Sequence, residues 1–449
     1  MKQKVNRCLR ALCLVVACLS SNVSSFAQDI AYDVDAFMRS AIERSHFRGS
    51  ILIAREGRVL VRKGYGMADA EHEVANNART KFRIGSLTKQ FTAMSILMLQ
   101  EQGKLNVQDS LCTYLPWCPA GWQPLTIRHL LTHTSGIPDV GYTQVQISSM
   151  SVTNTLEQLK DKPLEFKVGK IFRYSSTNYI LLGHVIERAS GKSYQAFLQK
   201  HIFGPLGMKD TGCDDNRLTL KNRATGYSLR GSRPVRAAHV DMSLPFSAGA
   251  LYSTVEDLYK WDRALYTERL VSRRTLDVMF SPGKGNYGYG WYVENQSGSR
   301  LISHSGWLDG FHSYIVRVPD KHLSVIVLSN LDGTPASTIA RALAAIALGV
   351  SHSILKERQV VKVNAQTFDA YLGEYEVGPN SIISISREDG RLFGGMTGRA
   401  KVELLPESES MFFVKEYDAQ IVFVKNPAGR VTHSIVRLNG RSLEAKKIK

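Results

Sequence analysis

Apolar and polar residues alternate along Gly49–Gly64, where Glu56-Gly57 separates two apolar runs. A period of two is typical of strands with one buried face, so this stretch predicts a β-hairpin that turns at those two residues. Ala31–Ser45 has a helical pattern. The apolar residues of Ser86–Gln102 follow the spacing of a buried helix, and Gly103 is suited to end it.

Strand patterns return in the second half of the chain. Between Asp109 and Asp241 helical stretches mix with Pro- and Gly-rich loops, and Ser337–Leu348 is again helical. The short β-rich segments are Tyr287–Val293, Leu301–His304, Phe311–Arg317 and Leu323–Leu328. One strand pair early and several late, around a helical middle, predict an α/β or α+β domain whose first and last strands meet in one sheet.

The last part of the chain has a different pattern of apolar and polar residues. Val360–Lys449 consists of short strand patterns divided by turns, and we expect a separate small all-β domain there. The clearest strands are Ile382–Ser386, Met411–Lys415 and Ile421–Lys425. The linker is expected near His352–Val363, which gives a main domain over 28–352 and a β-domain over 360–449.

The chain begins with the pattern of a secretory signal. Basic residues precede the apolar run Ala11–Leu19, and the small-residue sequence Ser25-Phe26-Ala27 follows it. The run is far shorter than the ~20 residues of a permanent membrane span. We expect cleavage after Ala27, with lipidation at Cys18 as the alternative. Either event places the mature chain in the periplasm or outside the cell, with no membrane-spanning segment of its own.

Composition indicates an ordinary globular protein, because 43% of the 449 residues are hydrophobic and 22% are charged. Removing residues 1–27, which hold four basic and no acidic residues, lowers the formal net charge from +17 to +13. The remaining basic residues are scattered and form no nucleic-acid-binding module. No nucleic-acid partner is therefore expected, whereas an anionic cell-wall or membrane partner stays open.

Three cysteines remain after the predicted cleavage: Cys112, Cys118 and Cys213. Their spacing fits no zinc or haem motif. In an oxidising compartment a Cys112–Cys118 disulfide is plausible, and Cys213 would then be the odd thiol.

The sharpest chemical feature is Gly85-Ser86-Leu87-Thr88-Lys89 at the start of the predicted apolar helix. Three residues of helix put Ser86 and Lys89 on one face. A serine hydroxyl becomes a good nucleophile when a base removes its proton, and a buried lysine with a lowered pKa is such a base. The spacing alone also fits a structural reading, in which Ser86 caps the helix and Lys89 is solvated.

Further segments along the chain give Ser86 and Lys89 a context. Phe172–Tyr179 (FRYSSTNY) precedes an apolar helix, and His304-Ser305-Gly306-Trp307 ends a predicted strand. With these, the chain resembles the serine β-lactamase and penicillin-binding-protein superfamily, in particular its class C β-lactamase, DD-peptidase and esterase branch. The resemblance covers about Asp33–Val350. It extends to three structural signatures: Leu130–Ile137 (LLTHTSGI), Ser247–Trp261 (SAGALYSTVEDLYKW) and Tyr287–Trp291 (YGYGW).

The resemblance implies a fold and a set of roles. The fold would be β-lactamase/transpeptidase-like, an antiparallel sheet flanked by helices with an all-helical subdomain. Ser86 would be the acylated nucleophile, Lys89 its proton acceptor and Tyr174 a proton shuttle. The third motif would contribute His304, Ser305, Gly306 and Trp307, with the backbone N–H groups of Ser86 and Trp307 as the oxyanion hole. The resemblance implies no metal or organic cofactor.

Two positions depart from the pattern of this branch. Ser176 stands where the second motif usually has Asn, and a serine hydroxyl is shorter than an amide. His304 stands where true β-lactamases often have Lys, and a mostly neutral histidine holds a substrate carboxylate less firmly. Both changes argue against an efficient β-lactamase. Histidine at this position resembles the DD-peptidases, D-amino-acid peptidases and esterases of the superfamily.

The residues and the resemblance together predict an exported serine hydrolase that forms an acyl-enzyme on Ser86. Its substrate would be a peptide or amide ending in a D-amino acid, or a small ester, with cell-wall fragments among the candidates. A weak class C-like β-lactamase and a non-catalytic penicillin- or cell-wall-binding sensor are the alternatives. His129 and His133 have the spacing of a metal pair, but no Glu adjoins them. Phe368–Tyr375 resembles the start of a lipocalin-like barrel appended to some serine hydrolases of this superfamily.

Overall fold

The computed structural model describes residues 30–115, 118–139, 157, 159, 161–230, 233–296, 298–350, 360–378, 381–396, 401–414, 419–438 and 441–449. The predicted signal segment, Cys18 and most of the predicted linker lie outside these residues.

The strands before residue 330 are β1 (Gly49–Arg55), β2 (Arg58–Tyr65), β3 (Met67–Asp69), β4 (Val74–Ala75), β5 (Phe82–Arg83), β6 (Gly212–Cys213), β7 (Tyr227–Arg230), β8 (Arg233–Arg236), β9 (Leu251–Ser253), β10 (Tyr292–Gln296), β11 (Ser299–Leu308), β12 (Phe311–Val318) and β13 (Leu323–Ser329). The main sheet is antiparallel throughout and has the order β10-β11-β12-β13-β1-β2. The predicted hairpin is β1 and β2. The first and last strands meet as expected, with Ile53 opposite Val325.

The α-helices of the described residues are α1 (30–45), α2 (Thr88–Glu101), α3 (Ile127–Leu131), α4 (Ser176–Ser190), α5 (Tyr194–Leu198), α6 (Gly204–Leu206), α7 (Phe246–Gly249), α8 (Val255–Ala264), α9 (Arg273–Met279) and α10 (Ala336–Leu348). They cover both faces of the sheet. Ile51 and Ile53 of β1 pack with α1 and α10, whereas Leu52 and Ala54 belong to the core formed with α2 and α4. Alternate side chains of β1 therefore pack into two different cores, because successive side chains of a strand point to opposite faces of the sheet.

Two sequence predictions need correction in this domain. The strand predicted from Tyr287 begins only at Tyr292, because Gly290 adopts a φ of +78° in a turn that packs on α2. A Cβ atom at Gly290 would lie 2.8 Å from the Lys89 carbonyl oxygen, so this contact requires glycine. The helix predicted from Ser86 consists of a 3₁₀ turn, Gly85–Leu87, followed by α2.

The C-terminal region is a closed antiparallel barrel of eight strands, as the β-rich pattern predicts. Its strands are β14 (Gly373–Gly378), β15 (Ser381–Glu388), β16 (Arg391–Met396), β17 (Val402–Pro406), β18 (Met411–Val414), β19 (Ala419–Lys425), β20 (Val431–Leu438) and β21 (Arg441–Lys447). Aromatic side chains fill its centre, where Tyr371 stacks on Phe423 with ring centroids 4.4 Å apart. These aromatic residues are core.

The disulfide considered from the sequence is present between Cys112 and Cys118. Cys213 is a free thiol, and burial raises its pKa to about 12. Among the described residues, no helix is both long enough and apolar enough to cross a membrane.

Candidate active site

Ser86 and Lys89 form the centre of the candidate site. Ser86 lies in the 3₁₀ turn and is half-buried, whereas Lys89, the second residue of α2, has 0% of its surface exposed. Lys89 Nζ lies 2.9 Å from Ser86 Oγ, 3.3 Å from Ser176 Oγ and 2.9 Å from the Ala248 carbonyl oxygen. The structure therefore contradicts the reading in which Lys89 is solvated.

Burial changes the protonation of Lys89. Desolvation lowers the pKa of Lys89 to about 7, against a smaller opposing effect of the Asp139 carboxylate. At pH 7 a lysine with its ordinary pKa of 10.5 is neutral in about one molecule in 3,000, whereas about half of Lys89 is neutral. A neutral amine that donates to the Ala248 carbonyl keeps a lone pair for the Ser86 proton. The geometry thus fits a general base.

The second sequence motif, around Tyr174 and Ser176, also lies beside Lys89. Tyr174 lies just before α4, and Lys89 Nζ is 5.0 Å from the centroid of its ring. Ser176 is the first residue of α4, and its hydroxyl contacts Lys89. The Asp139 carboxylate accepts from the Thr177 backbone N–H and hydroxyl, both at 3.2 Å, and so supports the N-terminus of α4.

The third motif lies on β11. His304 is buried, with Nδ1 2.6 Å from the Ser305 carbonyl oxygen and Nε2 3.1 Å from the Tyr287 hydroxyl. Because a carbonyl oxygen can only accept, Nδ1 carries a proton, and the Tyr287 hydroxyl is the hydrogen-bond partner of Nε2. His304 lies close to Tyr174, with ring centroids 6.0 Å apart. The imidazole is therefore part of the wall of the site and has internal partners at both nitrogens.

The 3₁₀ turn Gly85–Leu87, called the nucleophile turn below because it contains Ser86, packs directly against β11. β10 pairs with β11 only as far as Ser303, and beyond that point the 3₁₀ turn packs beside β11. Gly85 has a φ of +50°, and a Cβ atom there would lie 2.7 Å from both the backbone nitrogen and the carbonyl oxygen of Trp307. A Cβ atom on Gly306 would lie 2.0 Å from the Ile84 carbonyl oxygen. Two glycines thus allow the Trp307 backbone to approach the residue before Ser86.

Several contributors were not predicted as site residues. The Ala248 carbonyl and Tyr287 belong to segments that resemble structural signatures of the superfamily, and Asp139 has no sequence signal of its own. His133 is the most central of them. It is fully buried, with its ring centroid 4.4 Å from that of Tyr174. Its presence in the LLTHTSGI signature was the signal that could have identified it.

His129 and His133 do not form a metal pair. His129 Nδ1 accepts from the Thr126 backbone N–H in a capping box, and His133 Nδ1 accepts from the Ser175 backbone N–H. Within the described residues, no group of three or more His, Cys, Asp or Glu side chains is placed to hold a metal ion. The chemistry that the arrangement supports is nucleophilic attack by a serine beside a neutral amine.

Comparison with known families gives two matches along the chain. A family model described as "Beta-lactamase" matches residues 34–349, and a domain of unknown function (DUF3471) matches residues 357–447. Over 411 residues the chain is 29% identical to "Penicillin-binding protein 4*" of Bacillus subtilis (strain 168), which covers 85% of this chain and 91% of the relative.

Solved structures show the same similarity in three dimensions. The octameric penicillin-binding protein homologue from Pyrococcus abyssi superimposes with a TM-score of 0.66 at 27% identity, over 93% of this chain and 100% of that chain. The D-amino acid amidase from Ochrobactrum anthropi SV3, solved with D-phenylalanine, gives a TM-score of 0.57 at 25% identity, over 67% of this chain and 92% of that chain. The first of these matches spans both the main domain and the barrel.

Proposed function

The chain belongs to the beta-lactamase family of serine hydrolases, and from this premise we propose that it is an exported hydrolase that forms an acyl-enzyme on Ser86. The observation that carries the proposal is the buried Lys89 amine 2.9 Å from Ser86 Oγ. A serine beside a base that is half neutral at pH 7 has the activation that acyl transfer needs.

The acylation step follows from these positions. Neutral Lys89 accepts the Ser86 proton as Oγ bonds to the substrate carbonyl carbon, and the carbonyl oxygen becomes an oxyanion. The backbone N–H groups of Ser86 and Trp307 donate to that oxyanion. Tyr174 passes a proton to the leaving amine or alkoxide as its bond to the carbonyl carbon breaks. Water then attacks the carbonyl carbon of the acyl-enzyme, a proton of that water passes to Ser86 Oγ as the ester bond breaks, and the acid is released.

We further propose that the substrate is a neutral amide or ester, such as the amide of a D-amino acid. The support is His304, an imidazole at the position where true β-lactamases often have a permanently charged lysine. A β-lactam or a carboxy-terminal D-amino acid presents a carboxylate, which a histidine attracts less strongly than a lysine ammonium does. The D-amino acid amidase among the similar structures agrees with this substrate class.

The test is a comparison of substrates. The purified protein would be assayed with a D-amino acid amide, its L-enantiomer, a p-nitrophenyl ester, an acyl-D-Ala-D-Ala peptide and a chromogenic cephalosporin. We expect Ser86-dependent turnover of the ester and D-amide to exceed that of the last two. Faster turnover of the cephalosporin would instead establish the weak β-lactamase.

Ser176 favours a second candidate function, a sensor that binds penicillin or cell-wall fragments without turnover. Its hydroxyl lies 3.3 Å from Lys89 Nζ, and it is shorter than the Asn amide that the resembled branch usually has at this position. Reversible binding of wall fragments, with no increase in protein mass and no hydrolysis of any substrate above, would favour the sensor.

Export is proposed from the N-terminal pattern and is consistent with the Cys112–Cys118 disulfide, which an oxidising compartment permits. The mass of the mature protein distinguishes cleavage after Ala27 from lipidation at Cys18. A full-length chain recovered from the cytoplasm would contradict export.

A further inference from the structure

His133 accepts hydrogen bonds from backbone N–H groups on both sides of Tyr174. Its carbonyl oxygen accepts from the Arg173 N–H at 2.9 Å, and its Nδ1 atom accepts from the Ser175 N–H at 3.2 Å. The Asn178 side-chain amide is 3.3 Å from the same Nδ1 atom. Two acceptors of one residue thus hold the backbone N–H groups of the residues before and after the proposed proton shuttle.

The imidazole ring also packs on Tyr174 itself. Its centroid is 4.4 Å from that of Tyr174 and 4.8 Å from that of Tyr287, with the first pair of rings tilted by 35°. His133 has a φ of +54°, which residues other than glycine rarely adopt. The backbone bonds and the ring contact therefore restrict Tyr174 from two directions.

The protonation of His133 suits the role of an acceptor. Burial is the main cause that holds the pKa of His133 well below its ordinary value, and the charged form of Lys89 lowers it further, so the ring is neutral. Because Nδ1 accepts, the proton of a neutral ring is on Nε2. Nε2 is buried and has no hydrogen-bond partner among the described residues. A buried donor without a partner is unfavourable, and an aromatic ring without nitrogen would avoid it but would lose the Nδ1 acceptor.

We propose that His133 is a positioning residue that holds the Tyr174 hydroxyl where it can protonate the leaving group. This inference rests on the proposed function, because it assigns no chemistry to His133 and acts only through Tyr174. Displacement of a catalytic group by 1 Å is enough to cost about 100-fold in rate.

The test uses two substrates that differ in their need for the shuttle. An amine must be protonated to leave, whereas p-nitrophenolate leaves without a proton. The measured quantity is the ratio of kcat/KM for a D-amino acid amide to kcat/KM for a p-nitrophenyl ester. An unfolded fraction of the protein lowers both values equally and leaves this ratio unchanged.

The variants separate the acceptor from the ring. His133→Phe keeps a ring and loses Nδ1, whereas His133→Asn tolerates the left-handed backbone and offers Oδ1 near the position of Nδ1. His129→Phe is the matched control, since it also removes a histidine acceptor of a backbone N–H, four residues away and in the same signature. Tyr174→Phe gives the effect of losing the shuttle itself.

We expect the ratio to fall about tenfold or more in His133→Phe, to stay within about threefold of wild type in His133→Asn, and to be unchanged in His129→Phe. His133→Phe combined with Tyr174→Phe should give no lower a ratio than Tyr174→Phe alone, because both changes disable one step. An unchanged ratio in His133→Phe, an equal fall in His133→Asn, or additive effects in the double variant would overturn the proposal. Loss of all Ser86-dependent hydrolysis in the wild type would instead refute the proposed function.

Discussion

Gly85→Ala perturbs the contact between the nucleophile turn and β11 more directly than any change of a reacting side chain. The new Cβ atom would lie 2.7 Å from the backbone nitrogen and 2.7 Å from the carbonyl oxygen of Trp307, whereas ordinary contact begins at 3.4 Å. Both neighbours are backbone atoms, so rotation of a side chain cannot relieve the clash. The turn and the strand must separate by about 0.7 Å.

The separation moves one proposed oxyanion donor away from Ser86. Complete removal of such a donor costs about 100- to 1,000-fold in kcat, and a displacement approaching 1 Å costs up to about 100-fold. We therefore expect kcat/KM for a p-nitrophenyl ester to fall about 10- to 100-fold, mostly in kcat. The left-handed backbone at residue 85 adds a stability cost of about 1–2 kcal/mol, because alanine disfavours that conformation.

Gly103→Ala separates these two effects. Gly103 has a φ of +67°, so alanine has a comparable backbone cost there, but a Cβ atom would have nothing within 4 Å. Both variants should lose stability in thermal unfolding, Gly85→Ala by more because only it has the clash with Trp307, and only Gly85→Ala should lose activity. Activity of Gly85→Ala within twofold of Gly103→Ala, with both proteins folded, would refute the proposed role of the Trp307 backbone.

The remaining predictions concern charge. In the wild type, kcat/KM should rise about tenfold per pH unit up to pH 7 and level off above it. The reason is that the pKa of Lys89 is lowered to about 7 and its neutral form is the base. A flat profile of kcat/KM between pH 5 and 8 would contradict this assignment. Asp139 raises that pKa, so Asp139→Asn should move the acid limb to lower pH, and a shift upward would contradict the assignment. Arg317 and Asp262 form an ion pair with both side chains 2% exposed. Arg317→Met should therefore lower the free energy of unfolding by about 3–5 kcal/mol in urea, and Arg317→Met with Asp262→Leu by less. Equal losses in the single and double variants would show that the charge left by Arg317→Met has no cost.

Local patterns predicted the elements of this fold, and long-range packing decided where they begin. The alternation along β1 and β2 was sufficient for the hairpin because both strands keep a period of two. The aromatic residues of Tyr287–Trp291 resembled a strand for the same reason. Gly290 instead turns the chain onto the Lys89 carbonyl, and that contact lies about 200 residues away in sequence and leaves no local signal.

The residues of the candidate site also fall into those that local sequence predicted and those that only long-range packing reveals. Ser86 and Lys89 were recognisable because one turn of helix brings them together, and the motif around Tyr174 followed from the resemblance. The Ala248 carbonyl is 159 residues from Lys89, and His133 is 42 residues from the Ser175 N–H that it binds. Contacts of this kind depend on how the helices and the sheet pack, so spacing alone could not assign them.

The most direct test is intact-protein mass spectrometry of the mature wild type and Ser86→Ala, each incubated with a fluorophosphonate and, separately, with a penicillin. An activated Ser86 predicts one fluorophosphonate adduct on the wild type and none on Ser86→Ala. Histidine in place of lysine at position 304 predicts that any penicilloyl adduct forms slowly and in low yield. Equal labelling of the two proteins, or no fluorophosphonate adduct on a folded wild type, would contradict the acyl-enzyme on Ser86.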